Sequence, residues 1–174
     1  MNHLKGIICG RGGEGVITLN KTLGIILTMN NYSVISSEIH GMAQRGGTVV
    51  TYLKIGEYLS PAVMNGMADF FISTNFEEYI NNKHLINDKA LAIVNNDTIS
   101  IMGVQNNVYM FNAIKLSIDN FKTGKQLNQI LAGFFLGIMK YNLKLFNNNN
   151  IIKYKFINIE ALKLGFYESN KYNK

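Results

Sequence analysis

The sequence contains a single cysteine, Cys9, among its 174 residues. One thiol cannot form an internal disulfide, so we expect a reducing compartment, the cytoplasm. One thiol also cannot hold an iron–sulfur cluster, which needs several thiolates, and this excludes a protein that carries its own cluster. Because Cys9 lies within an apolar run, we expect it to be a buried and unreactive thiol.

Charge is scarce as well, since charged residues make up 16% of the chain and apolar residues 47%. So little charge leaves apolar surface that a partner protein could cover. The net charge is +6, but the lysines are scattered and no nucleic-acid-binding motif is present, so we expect no nucleic-acid partner. No apolar run approaches the roughly 20 residues that a membrane helix needs, and residues 1–5 lead straight into a strand rather than a signal peptide.

Short apolar segments alternate with helical patterns along the chain. Strands are predicted at 4–9, 32–37, 48–55, 70–73, 90–95 and 108–111, and helices at 16–29, 76–85, 126–141 and 158–168. This alternation predicts one α/β domain over residues 1–174, with three layers in which a mostly parallel sheet lies between flanking helices. Two small residues in the third helix, Ala132 and Gly133, predict that another element packs closely against it.

The strongest local pattern is a glycine loop at residues 10–15, between the first strand and the first helix. This Rossmann-like arrangement lets the backbone approach a ligand, and the start of the helix presents N–H groups and a positive dipole end to anions. We therefore expect a phosphate or diphosphate there, the alternative being a tight turn without a ligand. The residues expected to contact the phosphate are Gly10, Arg11, Gly12, Gly13 and Gly15. Glu14 works against an anion at this position.

A second segment, residues 37–47, is dense in functional side chains and glycines, which indicates a shaped loop. Glu38 lies close to the position at which dinucleotide-binding domains carry an acid for the ribose hydroxyls. A stand-alone NAD(P)- or flavin-binding oxidoreductase therefore stays open as an alternative, although no crossover helix pattern follows Glu38. His40 could transfer a proton, and Arg45 could bind a phosphate or carboxylate in a bidentate fork. A noncatalytic module that binds an anion or a protein is a third alternative.

The two segments read GRGGEGV and SEIHGMAQRGGTVVTYLKIG. Together they resemble the gamma component of 2-oxoacid:ferredoxin oxidoreductases, the pyruvate/ketoisovalerate oxidoreductase gamma family. The similarity is greatest to the small subunit of the indolepyruvate type, which has a GxGGQGV-type loop and an EVHGMAQRGG-type segment. The resemblance is dense over residues 1–56 and faint in the helix after Lys125 and in the tail at 158–165. Glu14 departs from the family pattern, which usually has glutamine there.

The resemblance implies a subunit of an enzyme that oxidatively decarboxylates a 2-oxoacid with coenzyme A. The products would be an acyl-coenzyme A, carbon dioxide and reduced ferredoxin, and the 2-oxoacid would be indolepyruvate or another aryl or branched compound. Thiamine diphosphate, magnesium and [4Fe–4S] clusters are expected on a larger partner subunit, with ferredoxin as the electron acceptor. The chain itself is then expected to hold no metal or cofactor alone and to be inactive without its partner.

The resemblance also implies roles for residues in both segments. The glycine loop would bind the phosphates of coenzyme A, and His40 and Arg45 would support catalysis. The residues expected at the interface with the larger subunit are Glu38, Met42, Gln44, Gly46 and Gly47.

Overall fold

The fold comes from a computed structural model that describes residues 3–39, 47–98, 103–105, 107–147 and 149–172. The strands are β1 (Leu4–Arg11), β2 (Val34–Ile39), β3 (Thr48–Ile55), β4 (Ala68–Ser73), β5 (Ile86–Asn95), β6 (Gly103–Gln105) and β7 (Val108–Phe111). The α-helices are α1 (Val16–Met29), α2 (Phe76–Asn82), α3 (Ala113–Phe121), α4 (Leu127–Ile138) and α5 (Ile159–Asn170). Short 3₁₀ helices lie at Lys83–Leu85, Gly124–Gln126, Leu143–Asn147 and Asn149–Lys153. Every predicted strand and helix is confirmed, whereas α3 and β6 were not predicted.

The seven strands form one sheet in the order β2-β3-β1-β4-β5-β7-β6. Strands β1, β4, β5 and β7 pair in parallel, each with the next. Strand β3 runs antiparallel to both β1 and β2, and β6 runs antiparallel to β7. Five of the seven strands therefore point the same way, which confirms the prediction of a mostly parallel α/β sheet.

The two faces of the sheet carry separate apolar cores, because successive side chains of a strand point to opposite faces. Ile8 packs on the larger face, with residues of α1, α4 and α5. Ile7 and Cys9 pack on the other face, with Tyr79 of α2. Helices thus cover both sides of the sheet, which confirms the three predicted layers.

Helices α4 and α5 approach each other so closely that only glycine fits at their crossing. A Cβ atom on Gly133 would lie 1.9 Å from the carbonyl oxygen of Leu162, and one on Gly165 would lie 2.0 Å from that of Ile130. These distances are far below van der Waals contact, so the backbones of the two helices touch directly. The close neighbour predicted for Ala132 and Gly133 is therefore α5.

Asparagine side chains cap three of the five α-helices in the described ranges. The Oδ1 atoms of Asn75, Asn112 and Asn158 accept hydrogen bonds from backbone N–H groups in the first turns of α2, α3 and α5, at 2.7 to 3.1 Å. Such caps satisfy N–H groups that have no partner within the helix. These three asparagines thus have a structural use, and Asn112 marks the start of the unpredicted helix α3.

The crossing of α4 and α5 predicts opposite effects for the same substitution at two helical glycines. Gly165→Ala should lower the free energy of unfolding by about 1–3 kcal/mol, because the added methyl group forces the helices apart. Gly24→Ala in α1 is the matched control, since no atom lies within 4 Å of the added Cβ. That variant should be stabilised by about 0.5–1 kcal/mol through reduced backbone freedom of the unfolded chain. Urea unfolding measures both, and equal effects at the two positions would contradict the packing described.

The buried thiol gives a second prediction. Cys9 has no exposed surface, and burial raises its pKa to about 12. The reactive thiolate is therefore suppressed in the folded state between pH 7 and pH 9.5, whereas an unfolded thiol ionises near its ordinary value of about 8.5. Labelling of the native chain with a disulfide reagent should stay negligible across that range, and the same chain in denaturant should react fully. Rapid native labelling that rises with a midpoint near pH 8.5 would show that Cys9 is accessible.

Candidate functional site

The candidate site is a crevice at the carboxyl ends of β1 and β4. The chain leaves β1 toward α1 on one face of the sheet and leaves β4 toward α2 on the opposite face. Neighbouring parallel strands whose connections diverge in this way open a crevice, which is the usual ligand position in open α/β sheets. A cavity of about 700 Å³ lies there, and the residues lining it include Arg11, Glu14, Thr74, Asn95, Lys125 and Asn128.

Two glycines of the loop are required by the chain's own packing. A Cβ atom on Gly10 would lie 1.8 Å from Oγ1 of Thr74. Gly15 has φ 78° in the left-handed region, and its Cβ atom would lie 2.2 Å from Nδ2 of Asn128. The sequence predicted that a ligand approaches the backbone of this loop closely. In the structure, side chains that follow β4 and lie on α4 also approach it closely.

Backbone N–H groups of the loop are partly engaged within the chain. The N–H of Arg11 donates to Oε2 of Glu14 at 2.8 Å, and the N–H of Glu14 donates to the carbonyl of Arg11 at 3.1 Å. The N–H of Gly12 donates to the carbonyl oxygen of Gly47 at 2.8 Å. A bound anion would therefore have to rely on the other N–H groups at this site, or displace one of these acceptors.

The Glu14 side chain spans the crevice. Its Oε2 accepts a second hydrogen bond from Oγ1 of Thr74 at 2.7 Å, and its Oε1 accepts one from Nδ2 of Asn75 at 3.3 Å. The carbonyl of the same residue accepts a bond from Nδ2 of Asn128 at 2.9 Å. Glu14 thus connects the loop after β1 with the loop after β4 and with the start of α4.

The charged groups of the cavity are of mixed sign. Arg11 pairs with Glu77 on the first turn of α2 through a direct contact of their side chains. Lys125 and Asp97 also line the cavity. The cavity therefore has three carboxylates and two cations, although the whole chain carries a net charge of +6.

The second motif meets the glycine loop through Gly47, whose carbonyl accepts the bond from Gly12. Residues 39 and 47 flank the intervening segment, and both lie at the carboxyl edge of β1. The predicted roles of His40, Met42, Gln44, Arg45 and Gly46 concern residues outside the described ranges, so those roles stay predictions.

Glu38 does not lie where a dinucleotide-binding domain needs its acid. Strand β3 is inserted between β1 and β2, so Glu38 on β2 is two strand spacings, roughly 10 Å, from β1. Its carboxylate instead lies 3.5 Å from Nζ of Lys21 on α1. In a dinucleotide-binding fold the acid-bearing second strand lies next to the first, so this topology does not favour the NAD(P) or flavin alternative.

Sequence reasoning missed the side chains that other strands and helices bring to the crevice. Thr74 and Asn75 follow β4, Glu77 lies in the first turn of α2, and Asn128 lies in the first turn of α4. One pattern in the sequence could have predicted part of this crevice. Polar residues form a run at the end of each of two buried strands, at 73–75 and at 95–98. In a parallel sheet such runs meet at one edge, and both contribute to the cavity.

The described ranges carry no candidate metal site and no candidate membrane-spanning helix. Among those residues, histidine, cysteine, aspartate and glutamate side chains nowhere gather in groups of three or more that could bind a metal ion. None of the helices there combines the length and apolar character needed to cross a bilayer. The crevice is thus the described feature that best suits a ligand.

Comparison with known proteins relates the sequence of this chain to a protein family. The family model described as pyruvate ferredoxin/flavodoxin oxidoreductase matches residues 6–170. The chain is 35% identical over 92 residues to the indolepyruvate oxidoreductase subunit IorB of Methanothermobacter thermautotrophicus. That match covers 53% of this chain and 47% of the relative, so the matched segment spans about half the length of the curated relative.

Solved structures share the fold along nearly the whole chain. The gamma subunit of keto/oxoacid ferredoxin oxidoreductase from Geobacter sulfurreducens has a TM-score of 0.74 at 15% identity, covering 97% of this chain and 99% of that one. The 2-oxoglutarate:ferredoxin oxidoreductase from Magnetococcus marinus, with 2-oxoglutarate, coenzyme A and succinyl-CoA bound, has a TM-score of 0.73 at 14% identity. It covers 98% of this chain, which corresponds to 31% of the longer chain. At such low identity these likenesses establish the fold alone.

Proposed function

Because the chain belongs to the pyruvate ferredoxin/flavodoxin oxidoreductase family, we propose that it is the small, gamma-type subunit of a 2-oxoacid:ferredoxin oxidoreductase, folded as one domain over residues 1–174. The observation that carries the proposal is the contact between the two motifs, in which Gly12 of the glycine loop donates to Gly47. The name of the similar indolepyruvate oxidoreductase subunit supports indolepyruvate or another aryl or branched 2-oxoacid as the substrate. The single cysteine supports the cytoplasm as the compartment.

The reaction divides its chemistry between subunits. Thiamine diphosphate would supply carbanion stabilisation, and iron–sulfur clusters would supply electron transfer to ferredoxin. One cysteine cannot hold a [4Fe–4S] cluster, so the clusters belong to a larger partner subunit, to which we also assign thiamine diphosphate and magnesium. The task left for this chain is to complete the site and to bind coenzyme A.

Coenzyme A would place its phosphates in the crevice between the loops that follow β1 and β4. The residues of this chain that would hold the phosphates are the glycine loop, Arg11 and Lys125, with the start of α1 adding its positive dipole end. The fit is incomplete, because N–H groups of Arg11 and Gly12 are already engaged and Glu14 lies in the crevice. Gly13, Gly15 and the first turn of α1 are therefore the main anion-facing part of the loop in this proposal.

The second motif would face the larger subunit. We assign His40 and Arg45 to supporting roles in catalysis. The residues assigned to the interface are Glu38, Met42, Gln44, Gly46 and Gly47. Apolar side chains exposed elsewhere support a partner as well, since Leu59 is fully exposed and Met64 is 72% exposed.

The subunit assignment predicts activity only in the complex. A tagged chain purified from its own cells together with the larger subunit should reduce methyl viologen in a reaction that requires coenzyme A and a 2-oxoacid. The same chain expressed alone should show no turnover with any member of a panel that includes indolepyruvate, phenylpyruvate, 2-oxoisovalerate and pyruvate. Turnover by the isolated chain, or its stoichiometric binding of NAD(P) or flavin, would rule the assignment out.

A substitution in the glycine loop tests the place of coenzyme A. Gly12→Val puts a branched side chain directly before Gly13, which belongs to the anion-facing part of the loop in this proposal. The KM for coenzyme A should therefore rise by about tenfold or more, which corresponds to about 1.4 kcal/mol of binding free energy. The KM for the 2-oxoacid, measured in the same assembled complex, is the internal control. It should stay within about twofold of the wild-type value, which corresponds to less than about 0.6 kcal/mol. An unchanged KM for coenzyme A in a folded complex would refute phosphate binding at this loop.

A further inference from the structure

Glu14 places a carboxylate in the position where the glycine loop would receive a phosphate. Its Oε2 accepts from the N–H of Arg11 at 2.8 Å and from Oγ1 of Thr74 at 2.7 Å. We propose that Glu14 is an intramolecular competitor for this position, so that it weakens the binding of phosphates and sets the affinity for coenzyme A. The proposal rests on the proposed function, because it concerns the same crevice and the same ligand.

The competition follows from the matching chemistry of the two groups. An ionised carboxylate only accepts hydrogen bonds and carries negative charge, as a phosphate oxygen does. A backbone N–H and a hydroxyl at the mouth of the crevice are donors that either group could use, and both donate to Glu14. A phosphate that takes these donors must first displace the carboxylate, and a phosphate that leaves them in place must bind beside a like charge.

The backbone of Glu14 is anchored, so only its side chain can give way. Its carbonyl accepts from Nδ2 of Asn128 at 2.9 Å, and its N–H donates to the carbonyl of Arg11 at 3.1 Å. Displacement therefore means rotation of the Glu14 side chain away from Thr74. The loop can stay in its present conformation while that happens.

The other charges of the cavity do not offset Glu14. Arg11 is paired with Glu77, and Asp97 also lines the cavity, so three carboxylates face two cations there. Replacing Glu14 by glutamine would leave two carboxylates and two cations in the cavity. The glutamine would keep an oxygen that can accept the hydrogen bonds from Arg11 and Thr74. This single exchange is therefore expected to change anion binding while preserving the loop.

The test measures coenzyme A binding to the full 174-residue chain by calorimetry, with inorganic pyrophosphate as a second probe for the diphosphate alone. Glu14→Gln should bind both probes about tenfold more tightly than wild type, or better, because a charge is removed at contact distance. Glu14→Ala should bind more tightly as well, which keeps the test decisive if one variant folds poorly. Thermal melting followed by circular dichroism establishes folding for each variant.

Asp97→Asn is the matched control, because it removes the same charge from the same cavity without touching the loop. It should change the affinity by less than about threefold, since Asp97 is exposed and its charge is screened by solvent. Equal gains in Asp97→Asn and Glu14→Gln would overturn the proposal in favour of a general field effect. Weaker binding by Glu14→Gln would overturn the proposal, because it would show that Glu14 contacts the ligand. An affinity equal to that of wild type would overturn it as well.

The outcome is separable from that of the proposed function. If neither the wild-type chain nor Glu14→Gln binds coenzyme A or pyrophosphate, while the chain still supports 2-oxoacid oxidation in the complex, the competitor role is overturned and the subunit assignment stands. If Glu14→Gln gains affinity but the complex oxidises no 2-oxoacid, the competitor role stands and the assignment fails.

Discussion

The carboxylate of Glu14 joins two loops that leave the sheet toward opposite faces, and the candidate site depends on this link. Through Arg11 it is bonded to the end of β1, and through Thr74 and Asn75 to the end of β4. These bonds connect the loops on the two sides of the crevice within the chain itself. Because the connecting group is a carboxylate, our proposal that phosphates bind at this loop implies that the same side chain affects both the crevice and its affinity for a phosphate.

The insertion of β3 between β1 and β2 is the second constraint on the site. It moves Glu38 two strands away from the glycine loop, which removes the acid that a dinucleotide ribose would need. It also brings the start of β3 beside the loop, so that Gly47 accepts a bond from Gly12. One topological feature therefore disfavours the nicotinamide alternative and accounts for the pairing of the two motifs.

Local sequence patterns were sufficient to predict most strands and helices of the fold. Most of the features that the sequence did not predict depend on contacts between distant parts of the chain. The apolar period of α1 and the run at β1 identified the glycine loop and the burial of Cys9. Helix α3 was missed, although its cap residue Asn112 was a usable sign of a helix start. The crevice could not be predicted from the sequence of the loop, because the residues that contact Glu14 are far away along the chain. Thr74 is separated from it by 60 residues and Asn128 by 114. Such separations leave no trace in the periodicity of a single segment.

Hydrogen–deuterium exchange on the assembled complex, with and without coenzyme A, tests the central claim most directly. The claim is that this chain contributes the crevice between β1 and β4 to a catalytic centre whose cofactors lie on another subunit. Coenzyme A should then slow exchange in residues 12–16 and 74–77, while the packed pair of α4 and α5 away from the crevice stays unchanged. Protection confined to the larger subunit, with no change at the carboxyl edge of this sheet, would contradict the account.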